Sequence, residues 1–256
     1  MSSFEASLAA LDAGLFQYVP SQTFAEDKKS LLALQAAVRA QHPSYVYLEI
    51  GSFMGGSLQP HLMDDRCGQI ISIDQRRGVY PDVRETTAYA NNTTAHMLEH
   101  LGRVPGGDLK KIRSIDGSTD AIAPGSVGAT PDLCFIDGEH TDEAVVRDGL
   151  FCLSVVDADG CLVFHDANLV FKGLDRFIGE LVKKNVRFRP YVLPETLFVV
   201  DLGAAGYRDT EPVSLRRAEN YKAYLSGLKS NDWYREAYNQ PVYRFLRRIR
   251  AFFPKF

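Results

Sequence analysis

Tyr45-Val-Tyr-Leu-Glu-Ile-Gly-Ser-Phe-Met-Gly-Gly-Ser57 is the stretch that decides the fold of this chain. Its first six residues are mostly aromatic, aliphatic or β-branched, which is typical of a buried parallel strand. Three glycines follow, and glycine allows tight turns and a close approach of the backbone to a ligand. We therefore predict a strand over 45–50, a glycine loop, and a helix over about 57–65 whose first N–H groups lack partners in the helix.

Glu49 gives this loop a preference for the charge of its ligand. A carboxylate two residues before the first glycine lies at the carboxyl end of the strand, where open α/β sheets bind their ligands. There it would repel a pyrophosphate and attract a cationic amino group. The spacing G-x-x-x-G-G also differs from the dinucleotide pattern G-x-G-x-x-G. For the glycines alone, an ordinary strand–helix turn remains the alternative.

Leu48-Glu49-Ile50-Gly51 followed by Gly55-Gly56-Ser57 resembles the first motif of class I methyltransferases that use S-adenosylmethionine (SAM). The resemblance implies that the loop binds SAM as the cofactor. The contacts that it implies are made by Glu49, Gly51, Ser52, Gly55 and Ser57.

Composition limits the classes of protein that this chain can be. The sequence has 256 residues, 24% charged residues and a formal net charge of −3, which fits one sizeable globular domain and gives no reason to expect a nucleic acid partner. The four cysteines form no C-x-x-C pair, which favours a reducing compartment. The N-terminus lacks the features of a secretory signal and no apolar run is long enough to span a membrane. We expect a cytoplasmic protein.

Strand and helix patterns alternate along the chain. This alternation predicts an α/β fold with a doubly wound, mostly parallel sheet, an antiparallel edge strand and a helical C-terminal extension. The resemblance to class I methyltransferases implies the seven-stranded, Rossmann-like form of this sheet. We divide the chain into a helical segment (1–44), a SAM-binding domain (45–205) and the extension (206–256). The predicted helices cover 25–41, 84–101, 141–153 and 170–184. The later strands cover 69–74, 133–136, 161–164, 186–193 and 196–202, and the third strand lies with its loop within 111–118.

Two loops are candidates for the nucleoside part of the cofactor. Asp74 ends the second strand, where an acid in nucleoside-binding folds accepts hydrogen bonds from ribose hydroxyls; a helix cap or a solvent-facing acid is the alternative. Asp116-Gly117-Ser118 follows the third strand, where the methyltransferase class often contacts adenine and ribose. The loop sequence itself is common.

Two further strands end in acids and histidines. Asp137 follows one strand with His140 three residues later, and His165 and Asp166 follow the next strand. Because the carboxyl ends of parallel strands meet at one crevice, these side chains and Glu49 are expected to face one pocket. Carboxylates on two strand ends suit Mg²⁺, which needs few protein ligands. A cation would also help chemically, because a sugar hydroxyl is about as weak an acid as water and its pKa lies far above that of histidine.

Phe135-Ile-Asp-Gly-Glu-His140 and Phe164-His-Asp166 resemble the metal-dependent sugar O-methyltransferases of the macrocin O-methyltransferase type, and the related cephalosporin-hydroxylase-like proteins. The resemblance implies that Asp137 and Asp166 bind Mg²⁺ and that His140 is the general base. It also places Asp137 among the catalytic and cofactor-contacting residues. His165 stands where that group carries a second acid, so a metal ligand, a second base and a hydrogen-bonding neighbour are all open roles for it.

The leading hypothesis is a SAM-dependent O-methyltransferase that acts on a hydroxyl of a saccharide or glycosylated metabolite. The alternatives are a catechol or phenol O-methyltransferase, a nicotinamide-dependent oxidoreductase and a non-catalytic cofactor-binding accessory protein. Residues 241–256 carry five basic and no acidic residues and have apolar residues at helical spacing. This pattern is consistent with peripheral contact with the inner, anionic face of a membrane, or with docking on the protein's own domain or on a second subunit of a homo-oligomer.

Overall fold

The computed structural model describes residues 2–81 and 86–239 and contains two sheets flanked by helices. The helices of the described chain are α1 (Ser3–Ala9), α2 (Ala25–Gln41), α3 (Gln59–Met63), α4 (Thr94–Leu101), α5 (Asp142–Val155), α6 (Phe171–Lys183), α7 (Glu211–Ser214) and α8 (Tyr221–Asn239). The strands are β1 (Tyr45–Ile50), β2 (Cys67–Asp74), β3 (Val79–Pro81), β4 (Thr86–Ala88), β5 (Ile112–Asp116), β6 (Leu133–Ile136), β7 (Cys161–Phe164), β8 (Phe188–Val192) and β9 (Phe198–Leu202).

Seven strands form the main sheet in the order β5-β2-β1-β6-β7-β9-β8. The first five of these strands are parallel to one another, and β9 runs antiparallel to both β7 and β8. The strand order reverses at β1, so the sheet has a switch point between β1 and β6. The predicted doubly wound, mostly parallel seven-stranded sheet is confirmed, with its antiparallel pairing at the β8 side.

The side chains of β1 alternate between two buried layers on opposite faces of the sheet. Tyr45 and Tyr47 pack into the layer that also contains the buried side of α2, and Leu48 and Ile50 pack into the layer that contains α5 and α6. Because successive side chains of a strand point to opposite faces, a strand buried on both faces needs apolar residues at nearly every position. Glu49 is therefore an exception in the centre of the sheet.

The ladder of hydrogen bonds continues past the strand ends and aligns three loops. The N–H of Gly51 donates to Ile73 (2.8 Å), that of Asp137 to Ile50 (2.9 Å), and that of His165 to Ile136 (3.0 Å). The residues that follow β1, β6 and β7 are consequently side by side at one edge of the sheet.

The prediction for residues 84–101 is wrong in its first half. The short strand β4 pairs with β3 in an antiparallel ribbon, and the helix α4 begins only at Thr94. The helix after the glycine loop is also shorter than predicted, because the chain passes through turns before α3 begins at Gln59. The predictions for α2 and β1 are confirmed at both ends. The basic tail of 241–256 lies outside the described residues, and the predictions about it stay untested.

Among residues 2–81 and 86–239, none of the helices has the length and apolar character that crossing a membrane requires.

Candidate functional site

A cleft opens at the carboxyl ends of the parallel strands. Its walls come from the loops after β1, β2, β5, β6 and β7, from the start of α5, and from an N-terminal segment at 20–24. This is the position at which doubly wound sheets bind ligands. Of the predicted site residues, those that line the cleft are Gly51, Ser52, Ser57, Asp74, Gly117, Ser118, Asp137, His140, His165 and Asp166.

The glycines of the β1 loop are required by the protein's own packing. Gly51 has a φ of +89°, and a Cβ at this position would lie 2.1 Å from the backbone oxygen of Asp137. At Gly56 a Cβ would meet the oxygen of Pro20 at 2.6 Å. Gly55 is not part of the cleft wall; it has a φ of +81° and faces Leu101. The loop is thus pressed between β6 and the N-terminal segment.

Glu49 lies beneath the cleft, outside the residues that line it. It is fully buried, and its two carboxylate oxygens accept hydrogen bonds from Tyr47 Oη (2.6 Å) and Ser57 Oγ (2.6 Å). Burial raises the pKa of Glu49 to about 7, although both hydroxyl donors favour the charged form. Ser57, which donates to Glu49, lines the cleft and so lies between Glu49 and the open space of the cleft.

The two predicted nucleoside acids occupy different environments. Asp74 is 5% exposed and lines the cleft, and its carboxylate accepts N–H groups from Phe53 (2.8 Å) and Arg76 (2.7 Å). Asp116 is not among the cleft residues; it accepts a hydrogen bond from Thr94 Oγ1 (2.6 Å) and its side chain is 55% exposed. Only the second and third residues of the Asp116-Gly117-Ser118 loop reach the cleft.

Asp137, His140 and Asp166 converge after β6 and β7. The Nε2 of His140 lies 3.6 Å from a carboxylate oxygen of Asp137 and 3.3 Å from one of Asp166. One ligand atom from each residue falls within 4.8 Å of the others, so the three can hold one metal ion. Asp166 adopts a φ of +50°, an uncommon conformation for a residue other than glycine that often marks functional sites.

His165 lies behind this cluster and is 7% exposed. Its Nδ1 lies 3.0 Å from Asp137 and 3.4 Å from Asp166, and its Nε2 lies 3.4 Å from Asp27 Oδ2. Burial disfavours the charged ring, but the three carboxylates outweigh it and hold the pKa of His165 well above its ordinary value. His165 and His140 together lower the pKa of Asp137 to about 2, although burial by itself would raise it. The group of ligand atoms that could hold a cation therefore contains His140 with Asp137 and Asp166, and the roles that the sequence left open for His165 stay predictions.

Asp27 is a site residue that sequence reasoning missed. It is fully buried on α2, where its carboxylate accepts the backbone N–H (3.0 Å) and the hydroxyl (2.8 Å) of Thr196. The only sequence signal was an acid on the buried side of an amphipathic helix.

The N-terminal segment at 20–24 was also missed, and Gln59 holds it in place. The Gln59 amide group donates to the backbone oxygens of Phe16 (3.0 Å), Val19 (2.9 Å) and Gly56 (2.7 Å). Its oxygen accepts the N–H groups of Tyr18 and Val19, both at 2.9 Å. This fully buried side chain therefore ties one wall of the cleft to the glycine loop.

Arg147 and Asp148 form a third missed part of the wall. Asp148 is 2% exposed, hydrogen-bonds to Thr119 and accepts Arg147 Nε at 3.0 Å. All three residues line the cleft beside the loop after β5.

Residues 48–167 match the family described as "Methyltransferase domain". The matched region runs from β1 to just past β7 and contains every predicted cofactor and metal residue. Over these residues the chain is similar to methyltransferase domains.

Solved structures share the fold at low sequence identity. The O-methyltransferase NovP is 15% identical with a TM-score of 0.55, over 78% of this chain and 99% of that chain. An O-methyltransferase from Bacillus cereus in complex with SAH is 12% identical with a TM-score of 0.52, over 79% of this chain and 91% of that chain. Similarity at this level establishes the fold alone. No curated protein matches this chain in sequence.

Proposed function

We propose that this protein is a SAM-dependent O-methyltransferase that methylates a hydroxyl of a saccharide or glycosylated metabolite. The observation that carries the proposal is the convergence of Asp137, His140 and Asp166 next to the glycine loop. A proton acceptor and two carboxylates then face the same cleft as most of the predicted cofactor residues. The two structural neighbours named above are O-methyltransferases, and one of them is in complex with SAH.

The charge of the cleft supports a cationic methyl donor. Of the residues that the structure describes, the acids that line it are Asp74, Asp137, Glu139, Asp148 and Asp166. Arg147, which also lines it, is paired with Asp148. A sulfonium with an amino group is attracted by this field, and the pyrophosphate of a nicotinamide cofactor is repelled. Asp74 ends β2, the position from which an acid binds ribose hydroxyls in nucleoside-binding folds.

His140 is suited to take the proton of the acceptor. In the transfer, the acceptor oxygen forms a bond to the methyl carbon as the bond from that carbon to sulfur breaks, and the hydroxyl proton passes to His140 Nε2. The carboxylates of Asp137 and Asp166, 3.6 and 3.3 Å away, stabilise the positive charge that the ring then gains. Holding the acceptor and the methyl group in line supplies much of the remaining rate.

A divalent cation fits the same residues. Two carboxylates and one imidazole form a donor set that Mg²⁺ or Mn²⁺ accepts, with the imidazole favouring the latter. When bound, the cation would lower the pKa of the acceptor hydroxyl. In that case His140 would contribute a ligand atom, and the ring of His165 would orient the two carboxylates, because its Nδ1 lies 3.0 Å from Asp137 and 3.4 Å from Asp166.

The segment at 20–24 supports a ring-bearing, polar acceptor. Ser21, Gln22 and Thr23 give the wall hydrogen-bonding groups, and Phe24 exposes 57% of its surface at the cleft. An exposed aromatic face beside polar groups suits a sugar or a phenol ring.

Binding and turnover assays test the proposal. We expect S-adenosylhomocysteine (SAH) to raise the melting temperature and NADH to leave it unchanged. A methyl-transfer screen over glycosides and phenols, run with Mg²⁺ and again with a chelator, should give a methylated glycoside whose formation falls on chelation. NADH binding without SAH binding would contradict the proposal, and methylation of phenols alone would contradict the saccharide assignment. Turnover that survives exhaustive chelation would exclude the cation.

A further inference from the structure

Two histidines on α4 form a pair that does not belong to the cleft. His96 and His100 are four residues apart and so lie on one face of the helix. Their Nε2 atoms are 3.0 Å apart, and the rings are tilted by 57° with centroids 4.6 Å apart. Neither ring is fully buried, and neither lines the cleft, so solvent ions can reach the pair.

A backbone hydrogen bond determines which ring nitrogen of His96 carries the proton. Its Nδ1 lies 3.1 Å from the backbone oxygen of Asn91, and a carbonyl only accepts, so Nδ1 carries the proton. The same oxygen accepts the N–H of Thr93 (2.8 Å), which holds it in place at the start of the helix. Nε2 of His96 therefore presents a lone pair toward His100. A ring nitrogen that donates to a backbone carbonyl while the other faces outward is the arrangement of metal-binding histidines.

We infer that His96 and His100 bind a borderline transition-metal ion such as Zn²⁺ or Ni²⁺. Zn–N bonds of about 2.0–2.1 Å at a tetrahedral angle place two nitrogens about 3.3 Å apart, so the pair needs to open by only a few tenths of an ångström. The ion takes the place of the proton that the two nitrogens share, and the Nε2 proton of His100 moves to its Nδ1. Water completes the coordination.

The donor set distinguishes this site from the cluster in the cleft. Imidazole nitrogens prefer zinc, nickel and copper, whereas carboxylate oxygens prefer magnesium and manganese. Glu99, which lies between the two histidines in sequence, is occupied by an ion pair with Arg103 (2.7 Å). Within the described part of the chain, the α4 site therefore has two imidazole ligands and no carboxylate, and it shares no residue with Asp137, His140 and Asp166. It is independent of the proposed function.

Zinc titration of the untagged full-length chain tests the inference. In a His140→Ala background, which weakens the cleft cluster, calorimetry should find one Zn²⁺ per chain. Adding His96→Ala or His100→Ala should weaken this binding at least 10-fold, whereas adding Glu99→Ala should leave it unchanged. A 100-fold excess of Mg²⁺ should not displace the zinc. Zinc binding that is the same with and without His96→Ala would overturn the inference.

A measurement on the unsubstituted protein guards against misfolded variants. Zinc should shift the NMR signals of the imidazole nitrogens of His96 and His100, because binding fixes their tautomers. If saturating zinc shifts the imidazole signals of His140 and leaves those of the α4 pair unmoved, the inference is also overturned.

Discussion

Asp27 and His165 meet beneath the cleft, with Oδ2 of Asp27 lying 3.4 Å from Nε2 of His165. The other nitrogen of His165 faces Asp137 at 3.0 Å, so a single ring joins α2 to the end of β6. Thr196 fixes Asp27 from the loop between β8 and β9 through two hydrogen bonds. The position of Asp137 thus depends on parts of the chain that sequence proximity does not connect.

Asp27→Asn should lower methyl transfer about 10-fold or more while the protein still folds. Partners that orient a catalytic or ligand group typically contribute 10–100-fold. The asparagine keeps the shape of Asp27 and can still accept one of the bonds from Thr196, so the loss of stability should be on the order of 1–3 kcal/mol. Turnover and urea unfolding measure the two effects. The matched control is Glu26→Gln, which changes the neighbouring acid on α2. Equal turnover in the Asp27→Asn and Glu26→Gln variants would refute the role of Asp27.

Gly51→Ala should destabilise the domain on the order of 3 kcal/mol. The positive φ disfavours alanine, and the new Cβ would collide with the oxygen of Asp137. Gly179→Ala is the control with the opposite sign, because this glycine lies inside α6 and has no atom within 4 Å of an added Cβ. The free energy of unfolding of the Gly179→Ala variant should rise by about 0.5–1 kcal/mol. Thermal unfolding of both variants measures these changes in stability. A Gly51→Ala variant as stable as the unsubstituted protein would contradict the packing of Gly51 against Asp137.

Glu49 should make stability fall as the pH rises through about 7. Its pKa in the folded chain, about 7, lies above the ordinary 4.5, so the folded state favours the protonated carboxyl. The corresponding stabilisation is present in full below pH 4.5 and is lost above pH 7, and it amounts to about 3 kcal/mol.

Urea unfolding of the unsubstituted protein and Glu49→Gln at pH 5 and pH 8.5 measures this contribution. The difference in unfolding free energy between the two proteins should move in favour of the glutamine variant as the pH rises. Comparison at matched pH cancels other groups, among them Asp201, whose pKa burial raises to about 6. A difference that does not change with pH would show that Glu49 keeps an ordinary pKa. Because the variant lacks the negative charge, we also expect it to bind SAM more weakly.

His140→Ala should reduce methyl transfer by about 100-fold or more and change the affinity for SAH little. General-base catalysis typically contributes 10²–10⁴-fold, and the contacts expected for the cofactor come from other residues. Single-turnover kinetics and SAH calorimetry on the same preparation separate the two quantities. Full activity in this variant would eliminate His140 as the base, and loss of SAH binding would place the residue in the cofactor site.

Local sequence patterns predicted the elements that carry the site. Strand β1 and helix α2 match their predicted limits because apolar periodicity and glycine or proline breaks are properties of neighbouring residues. The convergence of the ends of β6 and β7 followed from their parallel pairing, which the alternation of strands and helices implies. The failure at 84–101 arose where a short ribbon interrupts the alternation, since three-residue strands carry almost no periodic signal.

What the sequence by itself determined is the doubly wound sheet and the set of acids and histidines that end its strands. Only the tertiary structure decided that Glu49 lies beneath Ser57 and that the side chain of Asp116 is largely exposed. It also decided that both His140 and His165 lie against the carboxylates that follow β6 and β7. It also brought Asp27 to the site. The physical reason is that periodicity encodes which residues are buried, whereas the partner of a buried charge depends on how distant elements pack, and no local pattern records that.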